Sequence, residues 1–176
     1  MTIQTLTPEV ALVTGAAQGI GRAIALRLAK DGFDVAINDL LAAEDALNGV
    51  RKEITALGRR AFVFIGDVSV EKDVQNMVSS VVENLGQLNV MVANAGVCRS
   101  TPILETEVSQ WDFLLSVNVV GLFLCYKYAA MQMIKQGKGG RILGASSVAG
   151  RRGEMYMGTY SATKFAVRGL AQVAGE

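Results

Sequence analysis

Residues 10–22 read VALVTGAAQGIGR, an apolar run joined to a helical pattern by a loop with three glycines. Gly15 permits the sharp turn, Gly19 lets the backbone approach a pyrophosphate, and Gly21 lets the helix pack closely on the strand. The first turn of the helix would then offer free N–H groups and a positive dipole end to phosphate oxygens. The G-x-x-x-G-x-G spacing differs from the G-x-G-x-x-G fingerprint, so an ordinary strand–helix turn is the alternative interpretation.

Apolar runs and helical patterns alternate along the rest of the chain. The β-rich runs cover residues 10–14, 33–38, 61–65, 88–93 and 141–145. Helical spacing covers residues 18–30, 43–57, 70–85 and about 109–136, and a last helix opens near residue 159 and continues to residue 176. This alternation indicates βαβ units, a parallel sheet and right-handed crossovers. We therefore expect one α/β domain over residues 1–176, a doubly wound sheet (Rossmann fold) with strand order 3-2-1-4-5.

Composition narrows the classes of function. The 176 residues carry a formal net charge of +1 and 51% hydrophobic side chains, which excludes wholesale disorder and disfavours a nucleic-acid partner. No uninterrupted apolar run approaches about 18 residues, and the N-terminus shows no secretory signal, so we expect a cytoplasmic protein without a membrane partner. The chain has no histidine and two distant cysteines, Cys98 and Cys125, which disfavours a metal site, a disulfide scaffold and a Ser-His-Asp triad.

An acidic residue, Asp39, follows the second predicted strand, 18 positions after Gly21. Dinucleotide-binding folds place a carboxylate near this offset, where it binds the hydroxyls of the adenosine ribose. A carboxylate there would repel a 2′-phosphate, and no arginine or lysine follows before Arg51. We therefore expect NAD to be preferred, with NADP less favoured. A helix-capping aspartate is the alternative interpretation.

Five further motifs stand in order after the glycine loop. They are Asp67-Val68, Asn94-Ala95-Gly96, Asn118, Ser146-Ser147 and Tyr160-Ser-Ala-Thr-Lys164. With the glycine loop, they resemble the short-chain dehydrogenase/reductase family over essentially all of residues 10–176. The segment that begins at Tyr160 looks like the diacetyl/acetoin reductase and 3-oxoacyl carrier-protein reductase branches. Ala93 departs from the family's Asn-Asn-Ala-Gly pattern, which has asparagine at that position.

Tyr160 and Lys164 share one face of a helix because four positions separate them. A free phenol has a pKa of about 10, so proton exchange near neutral pH requires a nearby positive charge, such as an ammonium group or an oxidised nicotinamide. Ser147 follows the fifth strand, where its hydroxyl can bond a substrate oxygen. The resemblance implies Tyr160 as acid/base, Ser147 as carbonyl-orienting donor and Lys164 as ribose binder, with Asn118 holding a water that links Lys164 to solvent.

The resemblance implies an NAD(P)-dependent oxidoreductase that transfers a hydride between nicotinamide and a small secondary alcohol or ketone. The implied catalytic residues are Asn118, Ser147, Tyr160 and Lys164. The implied cofactor-binding residues are Gly15, Gln18, Gly19, Ile20, Gly21, Asp39, Asp67, Val68, Asn94, Ala95, Gly96, Tyr160 and Lys164. The resemblance also implies a homo-oligomer formed through the helix at 109–136 and the helix that carries Tyr160.

The family pattern continues beyond residue 176 with the rest of the last helix, a sixth strand, a substrate-covering segment and a seventh strand. We therefore expect a fold without those C-terminal strands, whose fifth strand presents an unpaired apolar edge. The alternative to an enzyme is an inactive nucleotide-binding or dimerisation module. Met155 and Met157, in the loop before Tyr160, either line a small apolar substrate pocket or fill core space.

Overall fold

Five parallel strands form one sheet in the computed structural model, which describes residues 8–174. The strands are β1 (Val10–Thr14), β2 (Asp34–Asp39), β3 (Ala61–Ile65), β4 (Val90–Ala93) and β5 (Arg141–Gly144). Their order is β3-β2-β1-β4-β5, so the predicted fold class and strand order are confirmed. β1 and β3 have the predicted bounds. The bounds of the other three strands differ by one or two residues, most clearly at β4, which begins at Val90 rather than at residue 88.

Six α-helices connect and cover these strands within residues 8–174. They are α1 (Gly19–Lys30), α2 (Glu44–Ala56), α3 (Glu71–Leu85), α4 (Val108–Leu115), α5 (Leu122–Gln136) and α6 (Gly158–Val173). The prediction of one regular helix at 109–136 was incomplete, because a wider π-helical stretch, Ser116–Gly121, joins α4 to α5. The predicted continuation of the last helix to residue 176 lies partly outside the described residues.

The strands are mostly apolar because helices cover both faces of the sheet. Along β1, Val10 and Leu12 face a core formed with α3 and α5, whereas Ala11 and Val13 face a second core formed with α1 and α2. All five residues of β1 are buried. Side chains alternate between the faces of a strand, so a strand buried on both faces shows a continuous apolar run instead of an alternating one.

A buried carboxylate fastens the amino ends of two strands. Asp34, at the start of β2, is 1% exposed and accepts hydrogen bonds from Arg59 Nη2 (2.6 Å) and Arg60 Nε (2.7 Å). The Arg60 backbone N–H also donates to this carboxylate, at 3.0 Å. Burial by itself raises the pKa of Asp34, but the hydrogen bonds from Arg60 and the two positive charges outweigh it, so the pKa is lowered.

The continuous helical stretch Val108–Gln136 is long and apolar enough, by length and composition alone, to cross a membrane. Its most apolar window has a mean hydropathy of 1.6, and half of that window is buried inside the fold. Core helices of globular proteins share these properties. The sequence expectation considered only uninterrupted apolar runs and so did not single out this stretch, which has few charged side chains.

β5 has a strand on one side only within the described residues, where it pairs with β4. Leu143 in this strand is about half exposed. The open edge agrees with the sequence expectation for the fifth strand.

Replacing the buried carboxylate by the isosteric amide, Asp34→Asn, is expected to lower the free energy of unfolding by about 1–3 kcal/mol, because two guanidinium groups lose their charged acceptor. The pKa of Asp34 is lowered in the fold. The stabilisation that the Asp34 carboxylate provides is therefore complete at pH values above its ordinary pKa of 3.8. It is lost as the pH falls through the lower pKa that Asp34 has in the folded protein. Urea unfolding of both proteins at pH 7 and in acid measures this difference.

The matched control is Asp31→Asn, which removes an exposed carboxylate paired with Arg27 four positions earlier on the same helix. We expect a change below about 1 kcal/mol for this exposed pair. Equal effects of the two substitutions would contradict the assignment of Asp34 as a structural anchor.

Candidate active site

A cleft of about 440 Å³ opens beside the glycine loop, at the carboxyl ends of the strands. The sheet order reverses between β1 and β4, and open α/β sheets bind their ligands at such switch points. The residues predicted for the cofactor that line this cleft are Gly15, Gln18, Ile20, Gly21, Asp39, Asp67, Val68, Asn94, Ala95, Gly96, Tyr160 and Lys164. Three predicted residues, Gly19, Asn118 and Ser147, are not part of the lining.

The glycine loop packs too closely for side chains at two of its positions. A Cβ on Gly21 would collide with the carbonyl oxygen of Gly15 and would lie 2.6 Å from Asn94 Nδ2. A Cβ on Gly15 would lie 2.9 Å from the Cα of Ala95, and the backbone there is left-handed, with φ of +63°. The start of α1 is thereby drawn against the ends of β1 and β4, and no side chain caps it.

Thr14 and Asn94 clamp the ends of β1 and β4 together. The Thr14 hydroxyl accepts hydrogen bonds from the backbone N–H groups of Asn94 (3.1 Å) and Ala95 (3.0 Å). In return, Asn94 Nδ2 donates to the carbonyl oxygens of Thr14 (2.9 Å) and Gly15 (3.2 Å). Sequence reasoning did not select Thr14, although it stands directly before the first glycine of the loop.

Asp39 lies at the carboxyl end of β2 and faces the same cleft. Its Oδ2 accepts from the backbone N–H of Ala17 at 3.0 Å, and its Oδ1 accepts from that of Leu40 at 2.9 Å. The position that precedes α2 is Ala43, so Asp39 does not cap that helix. Since a carboxylate has about four acceptor positions, Asp39 keeps capacity for ligand hydroxyls.

Asp67 and Val68 form the wall of the cleft after β3. Asp67 Oδ1 accepts from both the N–H and the hydroxyl of Ser69, at 2.8 Å each, which closes a tight turn. Val68 is buried against the π-helical stretch, where a Cβ on Gly121 would lie 2.9 Å from Val68 Cγ2. The close approach of the two backbones fixes this end of the cleft.

Tyr160 and Lys164 lie one turn apart on α6 and line the cleft together. Lys164 is 5% exposed, and its Nζ donates to the carbonyl oxygen of Ala145 at 2.7 Å. This nitrogen lies 5.5 Å from the centroid of the Tyr160 ring. Burial lowers the pKa of Lys164, because it disfavours the charged form.

Asn118 lies in the π-helical stretch and is 1% exposed. Its Oδ1 accepts from the Val97 N–H at 2.8 Å. Its Nδ2 donates to the Val97 carbonyl oxygen at 2.8 Å and to Thr163 Oγ1 at 3.1 Å. Both side-chain N–H bonds are therefore used within the protein, and the side chain joins the turn after β4 to α6.

The two serines after β5 have different partners. Ser147 Oγ accepts from the Ala149 N–H at 3.2 Å, which leaves its own proton free to be donated. Ser146 Oγ donates to the backbone carbonyl oxygen of Lys164 at 3.1 Å and so braces the turn that carries the lysine. Sequence reasoning did not separate Ser146 from Ser147, because the difference depends on how β5 meets α6.

The remaining walls of the cleft come from the turn after β4, from α4 and from the π-helical stretch. Cys98, Phe113 and Val117 line them. The guanidinium carbon of Arg99 lies 4.8 Å from the centroid of the Phe113 ring. Met155 is 78% exposed, so it does not fill core space, and it is not among the residues that line this cleft.

A glycine loop at the switch point of a doubly wound sheet, with a tyrosine and a lysine one helical turn apart across the cleft, defines a dinucleotide-binding α/β domain of the dehydrogenase type. The family model "short chain dehydrogenase" matches residues 9–176. The chain belongs to the short-chain dehydrogenase family, as the sequence motifs predicted.

Relatives and solved structures agree with this assignment. The chain is 54% identical over 166 residues to a short-chain dehydrogenase/reductase of Armillaria gallica, covering 94% of this chain and 64% of the relative. It is 42% identical over 168 residues to a diacetyl reductase [(S)-acetoin forming] of Staphylococcus epidermidis, covering 96% and 65%. A short-chain dehydrogenase/reductase of Burkholderia phymatum in complex with NAD superimposes with a TM-score of 0.90 at 31% identity, covering 94% and 58%.

The chain thus spans slightly less than two thirds of the length of these curated relatives.

The substitution Gly21→Ala tests the close packing of the loop. The added methyl must displace the Gly15 carbonyl group or the Asn94 side chain, so we expect a loss of about 1–3 kcal/mol in unfolding free energy. The affinity for NADH should fall more than tenfold, which a fluorescence titration with NADH measures. The control is Gly49→Ala in the middle of α2, where open space surrounds the added methyl and the helix gains about 0.5–1 kcal/mol. Unchanged NADH affinity in Gly21→Ala would contradict the assignment of this loop.

Proposed function

We propose that this protein is a nicotinamide-dependent oxidoreductase that moves a hydride between the cofactor and a small secondary alcohol or ketone. The observation that carries the proposal is that Tyr160 and Lys164 line the cleft that also contains the glycine loop. The likeness to a diacetyl reductase of Staphylococcus epidermidis supports a small ketone or diketone as substrate. The likeness to a protein in complex with NAD supports the nicotinamide cofactor.

The residues of the cleft fit a dinucleotide. The close packing at Gly15 and Gly21 brings the uncapped start of α1 to the cleft, where its free N–H groups would bind a diphosphate. Asp39 would hold the hydroxyls of the adenosine ribose, and Asp67 with Val68 would contact the adenine. When bound, the nicotinamide ring supplies the acceptor or donor of the hydride.

Side chains of the protein transfer the proton that accompanies the hydride. In the direction of ketone reduction, the Tyr160 hydroxyl gives its proton to the carbonyl oxygen, and in alcohol oxidation the phenolate takes it back. Lys164 Nζ lies 5.5 Å from the centroid of the Tyr160 ring. One of its N–H bonds is directed to Ala145, so two remain for the hydroxyls of the nicotinamide ribose. The free hydroxyl proton of Ser147 orients the substrate oxygen.

A nucleotide-binding or dimerisation module without turnover is the second candidate. The oxidation of NADH with a panel of small ketones and diketones separates the two candidates, together with the thermal shift caused by NAD. Turnover supports the oxidoreductase, and a thermal shift without turnover supports the module.

We further propose that the protein is a cytoplasmic homo-oligomer that associates through α4, α5 and α6. Large apolar side chains on these helices are exposed, among them Val108 (73%), Met131 (57%), Ile134 (79%) and Phe165 (45%). Exposed apolar side chains grouped on neighbouring helices favour contact with another chain.

The substitution Tyr160→Phe removes the proposed acid/base oxygen and keeps the ring. We expect kcat to fall at least about 100-fold while the Kd for NADH stays within about threefold, because the phenol acts on the proton rather than on cofactor affinity. Tyr128→Phe is the matched control, since the Tyr128 hydroxyl lies outside the cleft and binds Glu71 at 2.7 Å. Undiminished hydride transfer by Tyr160→Phe would remove Tyr160 from the role.

The substitution Asp39→Asn tests cofactor choice with little change in shape. The loss of the charged acceptor is expected to weaken NADH binding about tenfold, whereas NADPH binding improves because the repulsion of the 2′-phosphate disappears. Fluorescence titration of both proteins with both cofactors gives the four dissociation constants. Tighter binding of NADPH than of NADH by the unmodified protein would contradict the proposed preference.

A further inference from the structure

Thr163 lies between Tyr160 and Lys164 in the chain and is fully buried, with 0% exposure. Its hydroxyl donates to the backbone carbonyl oxygen of Tyr160 at 2.7 Å. The hydroxyl oxygen of Thr163 also accepts a hydrogen bond from Asn118 Nδ2, at 3.1 Å. A side chain outside the cleft lining is therefore hydrogen-bonded to the backbone of the tyrosine that faces the cleft.

These two bonds continue a longer chain of contacts. Asn118 also holds both the N–H and the carbonyl oxygen of Val97, at 2.8 Å each, in the turn after β4. A Cβ on the neighbouring Gly96 would lie 3.2 Å from Asn118 Oδ1 and 3.5 Å from Lys164 Nζ, so the two side chains meet at that glycine. The Thr163 hydroxyl is the point where this chain of bonds reaches α6.

We propose that Thr163 is a positioning residue, whose hydroxyl sets the place of the Tyr160–Lys164 turn relative to the turn after β4. The inference rests on the proposed oxidoreductase function. The hydrogen bond from Asn118 fixes the position of this α6 turn relative to the turn after β4. The hydrogen bond to the Tyr160 carbonyl oxygen ties the tyrosine backbone to the same hydroxyl. Thr163 touches neither cofactor nor substrate in this role.

The chemistry of the side chain supports a role for the hydroxyl beyond filling space. Valine has nearly the same shape as threonine but cannot accept a hydrogen bond, so it would leave an N–H of Asn118 unpaired in a buried site. Pairing that group again requires a rotation of Asn118 or a movement of the α6 turn, and either change shifts the reacting groups. Serine keeps both hydrogen bonds and loses only a methyl group.

The experiment compares Thr163→Val and Thr163→Ser with the unmodified protein. For Thr163→Val we expect kcat to fall at least about tenfold, because misplacement of reacting groups by an ångström can cost about 100-fold, with KM for cofactor and ketone within about twofold. Thr163→Ser should restore kcat to within about threefold. The control is Thr55→Val on α2, whose hydroxyl donates to the Arg51 and Lys52 carbonyl oxygens of its own helix, far from the cleft.

A second readout reports the hydrogen-bond chain without turnover. The Val97 amide is held by Asn118 Oδ1, so its hydrogen exchange should accelerate more than about tenfold in Thr163→Val if Asn118 is released. The amide of Leu12, in the central strand β1, should keep its exchange rate. A general loss of stability would instead accelerate both amides together.

The outcomes separate this inference from the proposed function. A lower kcat with unchanged KM, restored by serine and accompanied by faster exchange at Val97 alone, supports the role of Thr163. Unchanged kcat in Thr163→Val, or equal acceleration of exchange at Val97 and Leu12, overturns it while leaving the oxidoreductase proposal in place. Absence of turnover by the unmodified protein with every ketone overturns the proposed function and this inference with it.

Discussion

The close contact between the glycine loop and the turn after β4 sets the geometry of the cleft. It depends on the missing side chains of Gly15 and Gly21 and on the reciprocal hydrogen bonds between Thr14 and Asn94. A larger residue at Gly15 or Gly21 would push the start of α1 away from β4. The uncapped first turn of that helix would then no longer face Tyr160 and Lys164 on α6.

The opposite wall is held by a set of buried polar contacts. Lys164 is almost fully buried, which disfavours its charged form, yet its Nζ is fixed on the carbonyl oxygen of Ala145. Ser146 holds the backbone of the same turn from β5, and Asn118 holds it from the π-helical stretch through Thr163. Buried polar groups of this kind are costly unless all their partners are present, so the network favours one arrangement of α6 over its alternatives.

Local patterns in the sequence were sufficient for the sheet order, the glycine loop and the pairing of Tyr160 with Lys164. These features depend on strand hydrophobicity, glycine spacing and helical period, all of which can be read from adjacent residues. The π-helical stretch, the clamp by Thr14 and the different roles of Ser146 and Ser147 were not predicted. They arise from hydrogen bonds between segments far apart in the chain, for which the sequence carries no periodic signal.

The most direct test of the account is a crystal structure of the protein with NAD. We expect a diphosphate against the backbone N–H groups of the glycine loop and the start of α1. We also expect the hydroxyls of the nicotinamide ribose within hydrogen-bond distance of Lys164 Nζ, with the Tyr160 oxygen directed at the space beside the nicotinamide ring. A dinucleotide bound elsewhere, or Tyr160 and Lys164 turned away from it toward solvent, would contradict the assignment of this cleft.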